Sequence, residues 1–495
     1  MSVSIAKDSR AYYCREPPFH PEERYPEYEF EESGGENPGY RCVREALYRM
    51  GMDSRNYGKG SWNPMGDIIR PGDRVLIKPN FVLHQNLAGG IESLITHGSV
   101  IRSALDYVHK ALMGKGSIII GDAPQQTADF DAIVKSTGLG SIIDFYDAKG
   151  TVKVSAVDLR KQRGYPRKMG GLKRVDLSGD PYGYTAVDLK CDSELCDASA
   201  DYGRFRIADY HRDEVFKHHN DRKNEYYIPN SVLSADVIIN LPKLKCHGKT
   251  GITCALKNMV GINGYKDWLP HHRAGSHDEG GDEYPAKDMR KYLFCRLDER
   301  MNSTDNPFKL VPLRMASLLT YFSKVIVPFR DECFQGSWHG NDTIPRTIAD
   351  LNKIVFYADR HGSMKKASQR KMLVLVDAVI AGEKDGPLKP LPKECGMIVA
   401  GDSPVEVDLV CSQIMGFDPA RILTFKYAMN SRKYSLFRGS PRDIMVNAEG
   451  CAGFKDVYGM YCCHFKPPSG WEGEIEIKCP GHAGSPEQNV VIKAG

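Results

Sequence analysis

The sequence has no run of about eighteen apolar residues, so it offers no helix able to cross a bilayer. Its apolar runs, such as residues 372–376, have the length of strands instead. Residues 1–30 are rich in Tyr, Glu, Arg and Pro and hold no apolar signal-peptide core, which sets the expectation of a cytoplasmic protein. Charge of one sign is also missing. The 67 basic and 63 acidic side chains leave a formal excess of only +4, too weak a field to gather nucleic acid, although a local basic pocket can still hold an anionic small molecule. The 14 cysteines contain no C-x-x-C pair and no regular spacing, which argues against a disulfide framework and suits reduced thiols. No internal repeat or low-complexity tract is visible.

What is present is ordinary globular usage in a chain of 495 residues, long enough that two lobes are expected. Five short β-rich runs bounded by Pro, Gly or Asp read as buried strands, at residues 74–78, 117–121, 236–240, 372–376 and 397–400. Between the first two, Val100, Ile101, Ala104, Leu105, Val108 and Leu112 follow a helical spacing, so strand, helix and strand make a βαβ unit. The expected fold is therefore α/β: a mostly parallel sheet with helices on both faces, elaborated by insertions and a β-rich tail. Residues 1–60 read as an N-terminal arm and 61–260 as a first α/β lobe with a polar insertion at 151–222. Residues 261–310 read as a lid-like insertion, 311–426 as a second α/β half and 427–495 as a C-terminal extension.

The sharpest local signal is Asn240-Leu-Pro-Lys243-Leu-Lys245-Cys-His247. Side chains alternate along extended backbone, so Lys243, Lys245 and His247 would share one side just beyond a strand's carboxyl end, where open parallel sheets bind ligands. Gly248-Lys-Thr250 then leads to a short helix through Lys257 and Asn258, whose amino end would also favour an anion. The spacing is not that of a P-loop, and the competing reading is a solvated basic turn. At the end of an earlier strand, Lys78-Pro-Asn80 joins a charge to an amide that donates and accepts, which suits an oxyanion; a plain strand-end turn competes. Asn341 and Arg346, near a helix start capped by Asp342 or Thr343, are expected to face the same cleft, with simple capping as the alternative.

Asp122, Asp377 and Asp402 each follow an apolar run, with Glu383, Asp385 and Asp408 nearby. Such oxygen ligands at corresponding strand ends suit Mg²⁺ or Mn²⁺, against the commoner role of capping the next turn. His247, His271, His272 and His277 fall in one short region. His271 and His272, in a Gly-rich segment at 261–288, would supply acid or base catalysis when that segment closes as a mobile cover. Adjacent histidines cannot readily bind one metal from a regular strand, so no zinc site is expected.

Together these stretches resemble the bacterial and archaeal family catalogued as domain of unknown function 362. The matching pieces are Val75-Leu-Ile-Lys78-Pro-Asn80, the run from Ala235 to His247, Leu256-Lys257-Asn258, and residues 377–387 and 402–416. Longer members are matched further by Trp62-Asn63-Pro64, Trp338-His339-Gly340-Asn341-Asp342 and Pro468-Ser-Gly-Trp471. The resemblance implies a fold and a family but no reaction. Some relatives carry a ferredoxin-like cysteine segment that this chain lacks; Cys451, Cys462, Cys463 and Cys479 are a sparse substitute, so an iron–sulfur cluster is less favoured. The functional expectation is an enzyme of a bacterial biosynthetic pathway that acts on a phosphorylated or carboxylated small molecule by group transfer or ligation. Lys78, Lys243 and Lys245 would hold the anion and His247 would move a proton. The alternatives are an iron–sulfur oxidoreductase and a noncatalytic ligand-binding protein.

Overall fold

The computed structural model describes residues 2–168, 171–196, 201–207, 212–304, 306–329, 331–431, 433–451 and 453–478. Its strands in the main sheet are β1 (Ser2–Lys7), β2 (Arg74–Pro79), β3 (Ser117–Asp122), β4 (Val154–Asp158), β5 (Val237–Leu241), β6 (Lys243–His247), β7 (Gly251–Thr253), β8 (Lys371–Glu383), β9 (Leu391–Gly401) and β10 (Met445–Asn447). The helices that matter below are α1 (Gly98–Leu112), α2 (Ala255–Asn258), α3 (Met289–Asn302), α4 (Pro307–Phe322), α5 (Thr343–Tyr357) and α6 (Pro404–Met415). The strand order is β10, β1, β9, β8, β5, β2, β3, β4, with β6 beside the outer part of β8 and β7 folded back on β6.

Period-two alternation explains how this sheet is covered on both sides. Val75 and Ile77 of β2, Val237 and Ile239 of β5, and Leu373 and Leu375 of β8 pack on one side with Val100, Ala104 and Val108 of α1. Leu76, Ile238, Val374 and Val376 pack on the other with Ile344 and Leu351 of α5 and Val405 and Leu409 of α6. The expected βαβ unit is β2, α1 and β3, with the two strands adjacent and parallel.

The two expected lobes share a single sheet, because β5 pairs with β2 on one side and with β8 on the other. Strand β1, from the segment read as an arm, lies between β9 and β10, and β4, from the polar stretch, closes the opposite edge. The rest of that polar stretch forms small antiparallel pairs outside the main sheet, at residues 162–176 and between 184–188 and 225–229. Among the described residues of the tail only β10 joins the sheet; Trp471 sits in a short turn and its Nε1 donates to the Gly248 carbonyl at 2.7 Å.

Strand β9 runs against both neighbours, β8 and β1. Its carboxyl end therefore lies at the opposite edge from the ends of β2, β3 and β5. Asp402, expected beside Asp122 and Asp377, is exposed at that far edge. No propensity in residues 397–402 signals strand direction, which is set by where the partner chains run.

Candidate functional site

A cleft of about 390 Å³ opens beyond the carboxyl ends of β2 and β3. Asn80 and Asp122 reach it from the strand ends, His247 from the end of β6, Lys249 from the turn after it, Lys257 and Asn258 from α2, and Lys266 and His271 from the following segment. Gln335, Ser337 and the run Asp385 to Lys389 complete the rim. Crossovers between parallel strands leave a crevice where the connections diverge, which is why the site forms at this edge.

The first layer beneath the cleft is an ion pair. Lys78 is fully buried, with Nζ 2.7 Å from Asp122 Oδ1, 2.8 Å from the Pro79 carbonyl and 3.3 Å from Asn258 Oδ1. Asp122 Oδ2 also accepts from the Phe81 backbone N–H at 2.6 Å. Asn258 ties the floor together, accepting from Asn80 Nδ2 at 3.1 Å and donating to the Lys78 carbonyl at 3.1 Å and to Asn240 Oδ1 at 2.8 Å.

Lys243 and Lys245 do not line the cleft. Both lie in β6, which is wholly buried between β7 and β8. Lys243 Nζ is 2.7 Å from Asp377 Oδ2 and donates to the Tyr13 hydroxyl at 2.7 Å. Lys245 Nζ donates to Asn80 Oδ1 at 2.8 Å and to the Leu94 carbonyl. Burial first, then the charges of Lys243 and Lys257, holds its ammonium well below the usual lysine range. Lys245 thus props Asn80 from behind.

The two cleft histidines carry complementary tautomers. His247 Nδ1 accepts from the Lys249 backbone N–H at 3.0 Å, which leaves the proton of the neutral ring on Nε2. His271 Nδ1 lies 2.8 Å from the Leu269 carbonyl; since a carbonyl only accepts, that ring carries its proton on Nδ1 and keeps a lone pair on Nε2. Burial, followed by the charges of Lys257, Lys249 and Lys245, keeps His247 well below the ordinary imidazole range. Burial and Lys249 do the same for His271. Two lysines are depressed as well: Lys257 to about 8, by burial and then Lys249, and Lys266 to about 7, chiefly by burial.

Other expected residues go elsewhere. His272 is buried with Nε2 3.4 Å from Glu283 Oε1, a carboxylate that Arg296 also holds at 2.8 Å, so its ring is engaged away from the cleft. Asn341 does not reach the cleft: its Oδ1 accepts from the backbone of Thr343 and Ile344, capping α5, and its Nδ2 donates to the His271 carbonyl at 3.0 Å. The expected caps, Asp342 and Thr343, leave that place to it. Arg346 donates to Asp342 Oδ2 at 3.0 Å and to the Glu194 carbonyl, and stacks over Tyr427.

The three aspartates do not converge. Asp122 and Asp377 are separated by two intervening strands, about 14 Å at the usual strand spacing of ~4.8 Å, and each faces a lysine. Asp408 caps α2, accepting from the N–H groups of Ala255 and Leu256. Among the described residues no group of three or more His, Cys, Asp or Glu is placed to hold a metal ion. Of the four tail cysteines, Cys463 lies against Cys395, and Cys479 lies outside the described residues.

Lys249, Lys266 and Lys389 are cleft residues that the sequence did not single out. Lys249 stands inside the Gly248-Lys-Thr turn and could have been found there; nothing local marks Lys266 or Lys389. The segment at 261–288 does border the cleft through Gly261, Lys266, Leu269 and His271, and it is anchored by the buried side chains of Ile262, Asp282, Glu283 and Tyr284.

The chain is similar to a thylakoid-associated protein of Synechocystis sp., at 22% identity over 73% of this chain and 68% of that one. A crystal structure of a protein from Thermotoga maritima aligns with 70% of this chain at 9% identity and a TM-score of 0.29, and the chain spans about half of that protein's length (53%). The stretch that carries His247, Lys249, Lys257, Lys266, His271 and Asp385 lies within a longer match. Residues 192–413 match the model of the family described as domain of unknown function DUF362.

Proposed function

We propose that the cleft binds an anionic small molecule, phosphorylated or carboxylated, and that His247 and His271 move protons on it. The observation that carries this reading is the imbalance of charge at the rim. Lys249, Lys257, Lys266 and Lys389 border the cleft against two carboxylates, Asp122 and Asp385, and Asp122 is already paired with Lys78. Among the described residues no carboxylate forms an ion pair with Lys257 or Lys266, although Lys266 Nζ donates to the Val260 carbonyl at 3.1 Å, and a bound anion would supply that counter-charge. His271 Nε2 offers a lone pair and His247 Nε2 a proton, so a base and an acid border one space. That pairing suits group transfer or ligation, where one group loses a proton while another gains one.

Calorimetric titration with inorganic phosphate and a panel of phosphorylated and carboxylated metabolites tests the reading. Lys257→Met keeps most of the apolar stem and removes the charge, so affinity should fall by about 1.5–3 kcal/mol, roughly 10- to 150-fold. Equal affinity in the wild type and a folded Lys257→Met variant sinks the proposal. A His271→Asn variant that binds normally but loses turnover supports an enzyme, whereas a wild type that binds tightly and turns nothing over is a ligand-binding protein.

The pH dependence follows from the same lysines. Their depressed values, about 8 for Lys257 and about 7 for Lys266, mean that both lose charge as pH rises through that window. An anion favours the charged form, so its binding takes up protons and weakens with rising pH. The thermal upshift produced by phosphate should be larger near about pH 6 than near about pH 9, and a pH-independent upshift would place the anion elsewhere.

A further inference from the structure

We propose that the hairpin of α3 and α4 docks on the surface of an anionic lipid bilayer, with the outer face of α4 and the segment after it entering the headgroup region. This surface is independent of the reading of the cleft. Helix α4 has two apolar faces. Leu310 and Ser317 are buried on the inner one, and Tyr321 packs against Phe294 of α3 with ring centroids 5.6 Å apart. On the other, Phe308, Val311, Met315, Leu318, Leu319 and Phe322 are all exposed, with Phe308 at 88% and Leu319 at 72%. At about 100° per residue these six positions fall within about 120° of the circumference, one continuous stripe. Val325, Ile326 and Val327 extend it beyond the helix, at 78%, 85% and 58% exposure. Single exposed apolar residues are ordinary, but a contiguous stripe of this size marks a surface that is covered in use.

Charge says what covers it. From residue 306 to residue 330 the chain has no Asp or Glu, while Lys309, Arg314, Lys324 and Arg330 are all basic. On the helical projection Lys309 and Arg314 stand on opposite flanks of the stripe, about 130° and about 90° from its centre. Among the described residues neither has a carboxylate partner, whereas Lys324 lies 3.5 Å from Glu332. Apolar residues that enter an interface between cations that meet lipid phosphates are the pattern of a helix lying in the plane of a bilayer. No described helix is long and apolar enough to cross one, so the attachment is to a single leaflet. The hairpin is carried between two stretches that line the cleft, Leu269 to His271 and Gln335 to Ser337.

Sedimentation of the full chain with vesicles of phosphatidylcholine, alone or with about one third phosphatidylglycerol, tests this directly. The wild type should partition to the anionic vesicles and much less to the neutral ones. Lys309→Gln and Arg314→Gln should each weaken that partition about 5-fold, the equivalent of ~1 kcal/mol per cation at an anionic surface. The joint Phe308→Ser, Leu319→Ser and Ile326→Ser variant should stay in solution while melting at the wild-type temperature, because all three side chains are exposed. The proposal is overturned if the wild type ignores anionic vesicles or if the triple variant binds as the wild type does. It is also overturned if light scattering shows a dimer that only the triple variant breaks, since the stripe then belongs to a second copy of the chain.

Discussion

Lys243→Met should destabilise the protein by about 3–5 kcal/mol, because it leaves a buried carboxylate without its counter-charge. Lys243 and Asp377 are both fully buried, 2.7 Å apart. The ammonium also donates to the Tyr13 hydroxyl and, at 3.2 Å, to the Ile380 carbonyl. Asp377 in turn accepts from Tyr13 and from the His97 backbone N–H at 2.9 Å, and the Tyr13 and His97 rings stack at 4.0 Å. One ion pair thus fastens the N-terminal segment, the start of α1 and strands β6 and β8 together. Burial first holds Lys243 below the usual lysine range, and Asp377 works against that. Denaturant unfolding measures the loss, and Lys243→Met combined with Asp377→Leu should recover part of it, because no buried charge is then left alone. A single variant within about 0.5 kcal/mol of the wild type would return Lys243 to the list of ligand-binding candidates.

Gly261→Ala should cost about 3 kcal/mol or more and abolish ligand binding with it. A Cβ at this position would stand 2.0 Å from Asp122 Oδ1 and 2.7 Å from Lys78 Nζ. Neither group can yield freely: Asp122 is held by the Phe81 N–H, Lys78 by the Pro79 carbonyl, and the Gly261 backbone by the Ala123 N–H at 2.8 Å. The methyl group must part a buried ion pair that forms the floor of the cleft. Gly459 is the control, since its Cβ would meet nothing within 4 Å and it lies in the helix Phe454–Tyr461. Gly459→Ala should be neutral or stabilising by about 0.5–1 kcal/mol. Equal melting temperatures for the two variants would mean that the floor tolerates the methyl group.

The Lys-x-Lys-x-His stretch shows how far a local pattern reaches. Lys243, Lys245 and His247, expected just beyond a strand's end, take alternate positions within a strand of their own, β6, all of whose residues are buried. Alternation does not say whether their shared side is a cleft or an interior. The answer depends on Asp377, 134 residues further along, on Tyr13, 230 residues earlier, and on the loop that carries Leu94. The histidines divide in the same way. His271 and His272 are neighbours with the same chemistry, yet one borders the cleft and the other is engaged by Glu283.

By itself the sequence determined the α/β class, the buried strands with their two-sided alternation, the βαβ unit, and the region in which Asn80, His247, Lys257, Asn258 and His271 occur. These follow from periodicity, from turn residues and from the preference of ligands for strand carboxyl ends, all of which act over a few residues. Only the tertiary structure decided which charges are committed to partners and which border the cleft. Lys78 and Lys243 are committed to Asp122 and Asp377, Asn341 to a helix cap, and Asp402 to the far edge through the reversed direction of β9. Lys249, Lys257, Lys266 and Lys389 are the lysines that border the cleft. The physical reason is that an ion pair or a strand pairing is settled by distance in space, while every buried charge must find its partner wherever the fold brings one.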